Sequence, residues 1–166
     1  DAGSRAQWAA PDDVRPLSPF GEDQAQQIAA ALGSEVIGQV LSSPSVRCRQ
    51  TVEPLAAQLG LEVLDAAAFA EGGYGSDALD AALAAAQQHG AIVICSHGDV
   101  IPALIAAARR RGAELHGPPS PAKAARYVAT VADGQIARLD AVDAPVLRVD
   151  QQPDPLRSGS ATPSAR

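Results

Sequence analysis

The stretch LSSPSVRCRQT, residues 41–51, joins two patterns that are typical of different secondary structures. The preceding residues, EVIGQVL at 35–41, are mostly apolar and predict a buried strand. Ser42, Ser43 and Pro44 then predict a turn, and Arg47 falls in the first turn of the helix that follows. The dipole at a helix N-terminus disfavours a cation there. An arginine at this place is explained if an anion binds between the guanidinium group and the helix.

The alternation of strands and helices continues along the chain. Further strands are predicted at 61–64 and 91–95, where AIVIC is continuous enough for a strand buried on both faces. Helices are predicted at 18–33, with Ser18 as N-cap, at 77–89 and from Val100 onward, with Asp99 as cap. Residues 126–140 predict a hairpin that turns at Asp133-Gly134. This order predicts an α/β fold, a three-layer arrangement of a largely parallel sheet flanked by helices.

Composition limits the classes of protein to be considered. The 166 residues, 46% of them hydrophobic, fit one domain over 1–150 and a Pro- and Ser-rich tail over 151–166 that is expected to be disordered. The net charge of −6 argues against binding to nucleic acid. No apolar run approaches the ~20 residues of a membrane span, and no signal peptide is visible, so a cytoplasmic location is expected. Cys48 and Cys95 have neither metal-site nor disulfide spacing and are expected to be buried, reduced thiols; no metal or other cofactor is expected.

Three polar side chains follow predicted parallel strands. Arg47 follows strand 35–41, Glu71 follows strand 61–64, and His97 follows strand 91–95. The carboxyl ends of parallel strands meet at one edge of a sheet, so we expect these groups to share a crevice. Arginine, histidine and a helix N-terminus together suit a phosphate, and Glu71 could donate a proton to a leaving group. Taken alone, each also has a plain alternative: a surface arginine, a solvated loop carboxylate and a capping or core histidine.

These motifs resemble those of the histidine phosphatase superfamily, also called phosphoglycerate mutase-like. The resemblance rests on SSPSVRCRQTVEPLAAQLGLEV, AEGG and VICSHGDVIPAL, and covers roughly residues 1–140. The run from DAGSR through DDVRPLSPFGEDQAQQIA resembles the SixA-type phosphohistidine phosphatases. It is also similar to the phosphatase domain fused to MutT-type Nudix hydrolases in actinobacteria.

The resemblance implies roles for individual residues. Arg47 and His97 would bind phosphate, and His97 and Glu71 would be catalytic, with Glu71 as acid and base in a metal-independent reaction through a phosphohistidine. Arg5 and Arg15 could contact substrate, or could be ordinary surface charges. The family's Arg-His-Gly or Arg-His-Ala motif, which supplies the nucleophile at the end of the first strand, has no counterpart here. We expect the sequence, which has no methionine, to begin just after that motif, to lack the first strand and to be inactive by itself.

Two classes of function remain open on the sequence. The first is a phosphatase domain that acts on a phosphorylated small molecule, a nucleotide or a phosphohistidine protein. The second is a non-catalytic phosphate-binding or regulatory module, or the C-terminal domain of a Nudix hydrolase fusion. The coding sequence upstream of Asp1 discriminates between them, because it would show whether a strand ending in Arg-His and a Nudix domain precede this segment.

Overall fold

The computed structural model describes residues 1–145. Short 3₁₀ turns lie at Arg5–Gln7, Asp12–Val14 and Ala67–Phe69. The helices are α1 (Pro19–Leu32), α2 (Val46–Leu59), α3 (Gly75–His89) and α4 (Val100–Arg110). The strands are β1 (Gln39–Ser42), β2 (Val63–Asp65), β3 (Ile92–Cys95), β4 (Glu114–His116), β5 (Arg126–Ala132) and β6 (Gln135–Val142).

The first sheet is parallel, with the strand order β2-β1-β3. Successive side chains of a strand point to opposite faces. Accordingly, Val40 packs in a cluster with Val52 of α2, whereas Leu41 packs with Ala78 of α3 and Val100 of α4. Helix α1 packs on α2. Helices therefore cover both faces of this sheet, which confirms the predicted three-layer α/β fold.

The second sheet has the order β4-β6-β5. Strands β5 and β6 form the predicted antiparallel hairpin, and both turn residues, Asp133 and Gly134, have positive φ. Strand β4, which the sequence pattern did not predict, pairs parallel to β6. Ile136 and Leu139 of β6 pack against Ile105 of α4, so the second sheet is attached to the first through the α3–α4 layer.

One prediction of local structure was wrong. Strand β1 begins at Gln39 rather than at residue 35, and Val36 is 92% exposed, because pairing with β3 starts only opposite Ile92. Pro54 lies inside α2, and the helix continues past it from Val46 to Leu59 without a break. The lost backbone hydrogen bond at Pro54 is offset by the burial of Val52, Leu55 and neighbouring apolar residues of the same helix.

Strand β3 is not buried on both faces as its sequence predicts. All four of its residues are half-buried. It pairs with β1 on one side, and no strand among residues 1–145 pairs with its other side. Its exposure follows from that open edge, since the side chains of a neighbouring strand would otherwise flank it.

The predicted tail at 151–166 and the end of the predicted domain 1–150 lie outside the described residues. Among residues 1–145, no helix combines the length and the apolar character that crossing a membrane requires.

Candidate functional site

The loop after β1 brings the ends of β1 and β3 together. Ser43, fully buried, donates its backbone N–H to the carbonyl oxygen of Cys95 at 2.9 Å. Helix α2 then begins at Val46 with Ser45 as its N-cap residue. The Ser45 hydroxyl caps no helix N–H; it lies 3.4 Å from Nε2 of His97 instead. The positive end of α2 therefore faces this crevice without a side-chain cap.

His97 lies at the bottom of the crevice, 7% exposed. Its Nε2 is 2.7 Å from the Ser43 hydroxyl oxygen, and its Nδ1 is 3.1 Å from Nη2 of Arg47. An arginine can only donate, so Nδ1 accepts this hydrogen bond and Nε2 carries the ring proton. The contacts thus hold a neutral imidazole in one orientation.

Glu71 completes the triad that the sequence predicts. Its Oε2 lies 3.2 Å from Nη2 of Arg47, and its Oε1 lies 3.2 Å from Nη1 of Arg5. The loop that carries it is tied down by a 2.7 Å hydrogen bond from the Gly72 N–H to the Asp99 carboxylate. The structure therefore brings Arg47, Glu71 and His97 to one crevice at the carboxyl edge of the parallel sheet, where these three sequence-distant residues were expected to meet.

Asp12 is a further member of the site that the sequence reasoning missed. Its carboxylate lies 2.8 Å from Nε of Arg15, 3.1 Å from Nη1 of Arg47 and 3.5 Å from Nε of Arg5. The hydrogen bond from Arg15, together with the charges of Arg47 and Arg5, lowers the pKa of Asp12. An acidic residue in a loop gives no sequence signal of such contacts, because its three partners are brought to it only by the fold.

Arg5 and Arg15 take different positions. Arg5 lies at the mouth of the crevice with 65% of its side chain exposed, and it bridges Asp12 and Glu71. Arg15 is buried, and its Nη1 donates to the backbone oxygens of Ala2 and Gly3 at 2.6 and 3.3 Å. Arg5 is thus placed where a ligand could meet it, whereas Arg15 is engaged in holding the N-terminal segment.

The other two histidines lie away from the crevice. His89 is exposed at the end of α3, and His116 of β4 pairs with Asp140 at 3.0 Å. Within the part of the chain that the structure describes, no group of three or more His, Cys, Asp or Glu side chains could hold a metal ion. What the crevice does offer is a half-buried arginine, an oriented imidazole, a helix N-terminus and a half-exposed carboxylate. That set can bind a tetrahedral oxyanion and place an acid beside it.

Comparison with known proteins identifies similar chains. Residues 5–78 match the model of the histidine phosphatase superfamily (branch 1). An 8-oxo-(d)GTP phosphatase of Mycolicibacterium smegmatis is 31% identical over 147 residues, which cover 87% of this chain and 46% of that protein. The chain thus spans about half the length of this curated relative.

Solved structures show the same fold. The protein histidine phosphatase SixA in complex with tungstate superposes with a TM-score of 0.63 at 23% identity, covering 85% of this chain and 90% of SixA. A mycobacterial glucosyl-3-phosphoglycerate phosphatase in complex with VO3 superposes with a TM-score of 0.58 at 19% identity, covering 79% of this chain and 88% of that one. At these identities the likeness concerns the fold.

Proposed function

From the match of residues 5–78 to the model of the histidine phosphatase superfamily, we propose that the chain is a member of this superfamily and that its crevice binds a phosphoryl group and takes part in its hydrolysis. The contact between Nη2 of Arg47 and Nδ1 of His97, 3.1 Å at the N-terminus of α2, is the observation that carries the proposal. Phosphoryl transfer requires charge stabilisation on the equatorial oxygens of the phosphoryl group. Arg47 and the N-terminal turn of α2 would supply it without a metal ion. His97 would add a donor at Nδ1 once the phosphoryl group replaces its contact with Arg47 and the ring takes up a proton.

Glu71 is proposed as the general acid. It reaches Arg47 from the solvent side of the crevice, where the leaving group of a bound phosphate ester would depart. In its protonated form it would donate to the departing oxygen, and as a carboxylate it would then activate the water that resolves the intermediate. Its partial exposure, 42% of the side chain, leaves room for both the leaving group and the water.

The attacking group is proposed to be a second histidine outside these 166 residues. His89 and His116 lie elsewhere, and His97 is held at the wall of the crevice by Ser43 and Arg47. The open edge of β3 supports this proposal, since a parallel strand added there would end beside His97. A histidine at the end of such a strand could attack phosphorus in line. The 166 residues alone are accordingly proposed to lack phosphatase activity.

The substrate class is proposed to include phosphate esters, phosphohistidine and nucleotide phosphates. The leaving group of such a substrate would lie at the mouth of the crevice, beside Arg5 and the loop that carries Glu71. The relative named for 8-oxo-(d)GTP phosphatase activity supports nucleotide phosphates within this range. An upstream Nudix domain also stays a proposal, which the coding sequence before Asp1 tests.

The experiment is hydrolysis of an aryl phosphate by the full-length gene product in the presence of a metal chelator. We expect activity, and a loss on the order of 10²–10³ in rate for Arg47→Ala, as for removal of one oxyanion donor. Arg49→Ala is the matched control, because Arg49 lies on the same helix but pairs with Asp65 and Glu53. A wild-type rate in Arg47→Ala, or a rate abolished by the chelator, would contradict the proposal.

A second candidate is a binding module without catalysis, favoured by the single histidine of the crevice. It predicts that the full-length product binds phosphate or tungstate through Arg47 but hydrolyses no phosphate ester. Turnover by the full-length product would exclude this candidate.

A further inference from the structure

Two cysteines lie against the crevice and have no role in the proposed hydrolysis. Cys48 directly follows Arg47 in the first turn of α2, and its Sγ is 3.7 Å from Nε2 of His97 and 3.8 Å from the carbonyl oxygen of Ser96. Cys95 is the last residue of β3 and directly precedes Ser96. Both are free thiols. The pair thus adjoins the two residues that carry the phosphate-binding proposal.

The periodicity of the two elements places both thiols on one interface. Val52 lies one turn after Cys48 on the buried face of α2, and Val93 lies two residues before Cys95 on the same face of β3. Val93 and Cys95 both pack against the cluster that contains Val52. Cys48, one turn before Val52, therefore lies beside Cys95, two residues after Val93. The contact of the Cys48 Sγ with the carbonyl oxygen of Ser96 agrees with this placement.

The two thiols differ in acidity. The neighbouring Cys95 thiol, and then the hydrogen bond from His97 and the charge of Arg47, lower the pKa of Cys48 to about 5. The neighbouring Cys48 and burial raise the pKa of Cys95 well above its ordinary value. A thiolate is the form that reacts with oxidants and disulfides. The arrangement therefore holds a reactive thiolate beside a protonated partner thiol, which is the pairing of an attacking and a resolving cysteine.

We propose that Cys48 and Cys95 form a peroxide-sensitive pair that closes to an intramolecular disulfide and so weakens anion binding in the crevice. The Cys48 thiolate would attack hydrogen peroxide, taking one oxygen to give a sulfenic acid and releasing hydroxide. The Cys95 thiol would then attack the Cys48 sulfur, forming the S–S bond and releasing water. The two thiols lose two electrons in total, and hydrogen peroxide takes up these two electrons.

The consequence for the crevice follows from the position of Cys48. Closing the bond draws the Cys48 sulfur toward β3 and removes it from Nε2 of His97. It also fixes the first turn of α2, which presents the adjacent Arg47 and the helix N–H groups to an anion. A disulfide has narrow limits of geometry, so the bond would hold this turn, and with it Arg47, in the one position that meets them.

The first test measures the oxidation state of the two thiols and does not depend on enzymatic activity. The 166-residue chain is treated with hydrogen peroxide and examined by intact-mass and peptide mass spectrometry, before and after dithiothreitol. We expect loss of two hydrogen atoms, a Cys48–Cys95 linked peptide, and full reversal. Cys95→Ser should instead accumulate a sulfenic acid on Cys48 that dimedone traps, and Cys48→Ser should stay unmodified at the same dose. Free thiols in the treated wild type, disulfides only between chains, or equal oxidation of Cys48→Ser would overturn the proposal.

The second test measures anion binding in the crevice. Tungstate affinity is compared between reduced and oxidised chain by calorimetry, and a loss of about tenfold, restored by dithiothreitol, is expected. Cys95→Ser is the control and should show no reversible loss. Equal affinity in both states would overturn the coupling of the pair to the crevice. Failure of the reduced chain to bind tungstate would count against the proposed function, while the thiol measurements would still decide the disulfide.

Discussion

Arg47 divides its guanidinium group between Asp12 and His97. Nη1 donates to the backbone oxygen of Asp12 at 2.6 Å and lies 3.1 Å from its carboxylate, whereas Nη2 faces Nδ1 of His97 and the carboxylate of Glu71. One terminal nitrogen therefore orients the side chain, and the other is directed into the crevice. This division explains how a half-buried arginine can lie beside a helix N-terminus, because the nearby carboxylates of Asp12 and Glu71 balance its charge.

Asp12→Asn should weaken tungstate binding, because the ion pair between the Asp12 carboxylate and Nη1 of Arg47 is lost while the contact with the backbone oxygen stays. It should also lower the melting temperature, and the sign of the pH dependence follows from the lowered pKa of Asp12. A carboxylate with a lowered pKa stabilises the fold above about pH 4, the ordinary value for aspartate, and this stabilisation is lost as the pH falls through the lower folded pKa. The difference in melting temperature from wild type should therefore be largest near neutral pH and shrink in acid.

The matched control for this change is Asp13→Asn, since Asp13 is the exposed neighbour in the same 3₁₀ turn. It should leave both tungstate affinity and the pH profile of melting unchanged. If Asp12→Asn and Asp13→Asn behaved alike, Asp12 would have no positioning role.

Glu71→Gln should slow the full-length product in a manner that depends on the leaving group. For an alkyl phosphate, whose leaving oxygen needs a proton, a loss of about 10²–10⁴ in rate is expected. For an aryl phosphate with an acidic phenol the loss should be much smaller. The measurement is the ratio of the wild-type rate to the Glu71→Gln rate, taken for each of the two substrates. An equal ratio for both would show that Glu71 is not the general acid.

Alkylation of Cys48 tests its ionisation directly. The rate of modification by iodoacetamide should rise with a midpoint at about pH 5, the pKa of Cys48 in the fold. Cys95→Ser should move the midpoint upward, because the neighbouring Cys95 thiol is the largest cause of the lowered pKa of Cys48. A midpoint near the ordinary thiol value of about 8.5 in the wild type would show that Cys48 is not activated.

The convergence of the site could be predicted from the sequence because it depends on local patterns. Each of Arg47, Glu71 and His97 follows its own apolar run, and parallel strands present their carboxyl ends at one edge. Ser18 was correctly predicted as an N-cap, since its hydroxyl accepts from the Gly21 N–H at 3.1 Å. Such signals lie within a few residues of the position they specify.

What could not be predicted depends on partners that are distant in the sequence. Asp12 gains its role from three arginines, one of them 35 residues away. Strand β4 forms by pairing with β6, and a segment of three residues is too short to show the alternating pattern that predicts a strand. The partial burial of β3 reflects the open edge beside it, and the sequence of β3 itself contains no information on that edge.

The most direct test of the account is a crystal structure of residues 1–166 soaked with tungstate. We expect tungstate in the crevice, with its oxygens within hydrogen-bond distance of Nη2 of Arg47 and of the His97 imidazole, and facing the first turn of α2. The same soak of Arg47→Ala should leave the crevice without the anion, whereas Arg49→Ala should retain it. Tungstate bound elsewhere in the wild type, or bound equally in Arg47→Ala, would contradict the claim that this crevice is the phosphate site.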